Sequence, residues 1–173
     1  MTEACLPVFI GALQPSAPSD CCAWAAEGFA ALIASDPGAC ALGVRLGAVD
    51  LLRDCLVRPM DASPDAVDER QSDHAHDAID RAILSALGAI AQLAVGRARI
   101  LSHAEVVEAA VALVANAMTL ATPAATFIGT LCAADGISAA RAVLLTPSFA
   151  AALYRLLPSP GYGARPPTTA GGA

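Results

Sequence analysis

Hydrophobic positions recur every three or four residues along most of this chain, in runs of the length of single amphipathic helices. In residues 20–35, DCCAWAAEGFAALIAS, the stripe is Cys22, Ala26, Phe29 and Ile33, with Asp20 as the predicted N-cap. In residues 76–96, HDAIDRAILSALGAIAQLAVG, it is Ile79, Ile83, Leu87, Ile90 and Ala94, and Gly96 is expected to close the helix. Between these long runs lies DPGACALGVRLGAVDLLRDCL, residues 36–56, which splits into two short helices. Asp36 caps the first, and Pro37 occupies its first position, where a missing N–H costs nothing. Gly47 supplies the left-handed stop; the second helix runs from about Ala48 to Val57, with Val49, Leu52 and Leu56 on one side, and Pro59 ends it.

The same order recurs downstream. A short segment, RARILS, precedes HAEVVEAAVALVANA with its Val107, Val111 and Val114 stripe, and a long helix follows from about Thr122 to Ala134. After Asp135-Gly136 come ISAARAVLL and PSFAAALYRLL, the latter begun by Pro147 and stopped by Pro158. Composition agrees with helix throughout: roughly a quarter of the 173 residues are Ala, and 56% are hydrophobic. The predicted class is all-α, in one domain with ample apolar material for a core.

Charge and cysteines narrow the functional classes. A net charge of −6 argues against nucleic acid, whose phosphates need clustered cations. All ten basic residues are Arg, for which the sequence offers no structural reason. The apolar ACLPVFIGAL near the N-terminus is too short to span a bilayer, and Glu3 stands where a signal peptide wants positive charge. A soluble protein of the cytoplasm is expected, with the nucleus as alternative. Cysteines 5, 21, 22, 40, 55 and 132 fall mostly inside apolar helical patterns and lack paired CxxC spacing, so they read as small buried hydrophobes in a reducing compartment.

With its short, medium and long helices in repeated order, the chain resembles the armadillo-repeat family, whose units of about 42 residues hold three helices. The family's third helix typically ends in a Leu-Ala pair before a turn, and Ile33-Ala34, Leu93-Ala94 and Leu131-Cys132 stand at the matching places. The resemblance implies a right-handed α-solenoid over 1–158. Its units are 5–34 (truncated), 36–95 with an acidic loop at 59–76, 97–134, and 137–157 (truncated), followed by a disordered Pro/Gly-rich tail at 159–173.

The resemblance also implies a groove lined by the third helices. Importin-type members read basic peptides there with a Trp and Asn ladder; here the Trp places hold Gly28, Gly88 and Thr126, and the Asn places hold Leu32, Gln92 and Thr130. The ladder is missing. The expected binding surface is therefore Trp24, Gly28, Leu84, Gly88, Gln92, Thr126 and Thr130, small or weakly polar groups suited to an apolar helix or extended segment of a protein partner. Trp24 has a competing reading as a packing residue.

No phosphate-cradling GxxxxGK[ST], GxGxxG, HExxH or GxSxG is present, so no enzyme is expected and no cofactor. Asp73, His76, Asp77 and Asp80 share a helical face and are competent divalent-metal ligands, but acidic residues at a helix start also complement its dipole. Two other functions compete with the scaffold. One is a small armadillo-type nucleotide exchange factor for heat-shock chaperones; the other is a compact helical bundle holding a metal or small ligand near the acidic loop. An array that starts and stops inside a unit leaves Val8, Phe9, Phe149 and Leu153 near solvent, which predicts self-association through the ends.

Overall fold

The computed structural model describes residues 2–14, 19–57 and 69–156, with side chains over 5–14, 21–57 and 76–154. Among the described residues the fold is all-α, without a strand. Among these residues ten helices follow one another: α1 Thr2–Ala12, α2 Ser19–Ser35, α3 Pro37–Arg45, α4 Ala48–Leu56, α5 Glu69–Ala91, α6 Ala94–Leu101, α7 Ala104–Asn116, α8 Ala121–Asp135, α9 Ile137–Leu144 and α10 Phe149–Leu156. None is long and apolar enough to cross a membrane. The linker part of the predicted acidic loop, 59–68, and the tail at 159–173 lie outside the described residues.

Local chemistry explains the α2–α3–α4 corner. The Asp36 carboxylate accepts hydrogen bonds from the backbone N–H groups of Gly38 and Ala39 at 2.9 and 3.3 Å, and Pro37 opens α3. Gly47, at φ 85°, makes the left-handed turn into α4, which buries Ala48, Val49, Leu52 and Cys55. Two thiols fasten the end of α1 to this corner. Cys22 donates to the Ala12 carbonyl at 3.5 Å and Cys55 to that of Leu13 at 3.3 Å, so buried cysteines satisfy carbonyls that the helix end leaves without partners.

Three boundaries differ from the sequence expectation. Helix α2 already runs from Ser19, so Asp20 lies inside it rather than at its cap. Helix α5 begins at Glu69, so 69–76 are helix rather than loop; Glu, Arg, Gln and Ala there are strong helix formers, and early acidic residues suit the dipole. Helix α5 ends at Ala91, not at Gly96. Leu93 is extended (φ −93°, ψ 136°) and starts α6, which leaves Ala94 exposed. Arg97 reaches back and donates to the carbonyls of Ala91 and Gln92, both at 3.0 Å, which caps α5 with a charged donor. Gly96 is buried inside α6, and a Cβ there would run into the backbone carbonyl of Ile90. Its role is close approach of two helices, not a cap.

Helix α2 packs most extensively on α5; α5 packs further on α8, α7 on both α8 and α10, and α3 and α4 more lightly on α6 and α7, while α1 lies against α2 and α3. The stripes read from sequence form the core: Phe29 and Ile33 of α2, Ile79, Ile83, Leu87 and Ile90 of α5, Val107, Val111 and Val114 of α7, and Phe127 and Leu131 of α8. No polar or charged side chain is buried among the described residues. At the two ends Val8 and Leu153 are exposed and Phe9 and Phe149 half-buried; Ile137, Leu144, Leu145 and Tyr154 add further exposed apolar groups on and after α9 and on α10.

Candidate functional site

The row α2–α5–α8 leaves a cavity of about 650 Å³ along one side, within the range of ligand sites. Its floor is buried and apolar: Ile33 from α2, Cys40 from α3, Leu84 from α5 and Phe127 from α8. Pro37 and Ala34 bound one side, and Pro123, Thr126 and Thr130 of α8 the other. Along α5 the lining runs Arg81, Leu84, Ser85, Gly88 and Ala89 on one helix face, and it continues into Gln92 and Leu93 beyond the helix end. Exposed Arg81, Ser85, Gln92 and Thr126 bring the cavity to solvent.

Five of the seven residues expected to bind a partner, Leu84, Gly88, Gln92, Thr126 and Thr130, line this cavity. Gly88 is a true gap, since a Cβ built there meets no atom within 4 Å. Trp24 and Gly28 are elsewhere. The Trp24 ring is 58% exposed and tilts against Phe9 of α1 with centroids 5.3 Å apart, while Phe9 also fills the space beside Gly28. Helix α1 has taken that face. Nothing in the period of α2 signals it, because where α1 docks is a tertiary matter.

Sequence reasoning missed Arg81, the one charged side chain of the lining, and the apolar floor given by Ile33, Cys40 and Phe127. The signal available was position: Arg81 stands one turn before Leu84 on the face already assigned to the groove. Burial pushes the Cys40 thiol above its usual value, so it stays protonated beneath the cavity.

A second polar cluster joins α4, α6 and α7 away from the cavity. One Arg99 nitrogen donates to both Asp50 oxygens at 2.8 and 2.9 Å, and Arg53 donates to Asp54 at 2.7 and 2.9 Å. Arg53 also faces Nδ1 of His103 at 3.2 Å; a guanidinium only donates, so Nδ1 is the acceptor, which leaves Nε2 as the ring's donor. That Nε2 lies 3.0 Å from Asp50 but without the alignment of a hydrogen bond. Burial alone would raise the Asp50 carboxyl; the Arg99 hydrogen bonds and the charges of Arg99, His103 and Arg53 outweigh it and hold the carboxyl below its ordinary range. The sequence placed these residues on separate helices and showed no link between them.

Among the described residues no three His, Cys, Asp or Glu side chains gather as a metal needs. Asp77 accepts a hydrogen bond from Thr119 at 2.5 Å, tying α5 to the turn before α8; His76 is exposed and Asp80 half-buried. The side chain of Asp73 lies outside the described residues. Fold and site thus define an all-helical protein with an apolar, solvent-reaching cavity between three successive long helices. No protein-family model, curated protein or solved structure matches the chain.

Proposed function

We propose that this protein is a non-catalytic binding module that takes a segment of a protein partner into the α2–α5–α8 cavity. The observation that carries the reading is the cavity itself: three long helices, separated in sequence by two short ones each, converge on one apolar recess whose rim supplies hydroxyl and amide groups. Of its lining side chains only Arg81 and Cys40 ionise, and a buried, protonated thiol is a poor nucleophile, which supports binding rather than catalysis. Packing of α2 on α5 and of α5 on α8 accords with a solenoid of three-helix units of the armadillo kind, and work in the cytoplasm accords with Cys40 as a buried thiol.

Gly88→Trp tests this reading, because the space at Gly88 is open and a helix-interior Gly is replaced by a better helix former. The variant is expected to keep or raise its thermal midpoint while losing a stoichiometric partner that the wild-type chain retains from cell extract. Equal retention by both proteins would remove the cavity from the function.

A further inference from the structure

The charge of the cavity is opposite in sign to that of the chain. The protein carries −6 overall, yet Arg81 is the one charged side chain among the residues lining the recess, and among the described residues it makes no hydrogen bond or ion pair. Asp77 and Asp80 precede it on α5, Asp77 accepting a hydrogen bond from Thr119, and neither lines the cavity. An unpaired guanidinium beside an apolar floor is a forked donor suited to a carboxylate. From Arg81 to Ala89 the α5 lining is about 12 Å long, at 1.5 Å per residue, and Gln92 continues it past the helix end. An extended chain of about four residues spans the helical part. Leu84, one turn from Arg81, and Phe127 of α8 form the apolar floor, Gly88 leaves room beside it, and Ser85, Gln92 and Thr130 offer hydrogen-bonding groups around it. Such groups suit the backbone N–H and C=O of a peptide, which an alkyl chain lacks.

We infer that the partner segment is an extended acidic peptide, an apolar side chain seated on Leu84 and Phe127 with a carboxylate one or two residues away held by Arg81. This rests on the cavity being the binding site. It separates the recess from basic-peptide grooves: the overall negative charge attracts cations to the surface, but the cavity selects an anion. The proposal commits to a peptide, and a free aliphatic carboxylate is tested against it.

Selection of a displayed library of random heptapeptides on the full-length protein tests the inference. Enriched sequences are expected to pair an apolar residue with Asp or Glu one or two positions away, and to lose binding to Gly88→Trp. Arg81→Glu should weaken those peptides by on the order of tenfold and favour the same peptides with Lys in place of the acid. Peptides that Gly88→Trp abolishes but that carry no acid and bind Arg81→Glu equally well would overturn this inference and leave the cavity as the binding site. Enrichment with no sensitivity to Gly88→Trp, or no enrichment at all, would overturn both. Dodecanoate below its micellar concentration serves as the other probe: saturable binding to wild type and not to Gly88→Trp, with no peptide enriched, would sink the peptide in favour of a small amphiphile.

Discussion

At the scale of single residues, two glycines do opposite jobs. Gly47 is needed for its backbone, since φ 85° is costly for any side chain, whereas Gly96 is needed for its missing Cβ, where the Ile90 carbonyl fills the space. Gly47→Ala is expected to cost about 1–2 kcal/mol in urea unfolding. Gly96→Ala should cost more, about 2–3 kcal/mol, because a backbone carbonyl cannot swing aside as a side chain can. The sequence predicted the first role, since Gly47 follows a complete amphipathic turn; it misassigned the second, because Gly at a helix end and Gly at a helix crossing look alike in one dimension. Asp50 makes a pH prediction. Its carboxyl titrates below the ordinary range when folded, so its contribution is fully present above the unfolded-state value and is lost as pH falls through the folded-state value. Asp50→Asn should therefore destabilise by about 1 kcal/mol at neutral pH, the difference vanishing in strong acid. An unfolding series showing the same difference at both ends would refute the pairing with Arg99.

At the scale of elements, eight helices were legible from apolar runs and end signals, and Asp36-Pro37 located the start of α3 from its chemistry alone. The α5–α6 boundary was not legible. The pattern runs unbroken from Ile79 to Ala94, and what divides it is an extended Leu93 held by an arginine that caps the preceding carbonyls from the next helix. Arg97→Ala should cost about 1 kcal/mol, the worth of charged hydrogen bonds to helix-terminal carbonyls at a partly exposed site. Amide exchange is expected to quicken in the last turn of α5 and leave α8 unaffected. Uniform quickening across both helices would mean that Arg97 acts on global stability instead.

At the scale of the whole molecule, the order in which helices meet matters more than any one of them. If stability is a sum over units and their neighbours, as the solenoid reading requires, ending the chain after Asp135 removes α9 and α10 and uncovers part of α7, without disturbing α2–α5 packing. The shortened protein should unfold at lower urea yet keep the helical circular-dichroism signal per residue of the full chain. Collapse of that signal throughout would favour a single indivisible bundle.

The sequence by itself determined most of the helices, their apolar faces and five of the residues that meet in the recess, because three- and four-residue periodicity records which side of a helix leaves water. It brought Leu84, Gly88, Gln92, Thr126 and Thr130 together by register alone. Only tertiary structure decided that Trp24 and Gly28 face α1 instead, that Arg81 is the charged group of the cavity lining, and that Asp50, Arg99 and His103 form one cluster. Each of these depends on which helix lies alongside, and the distances that set it are spanned by packing between residues up to roughly fifty positions apart, where local pattern carries no information.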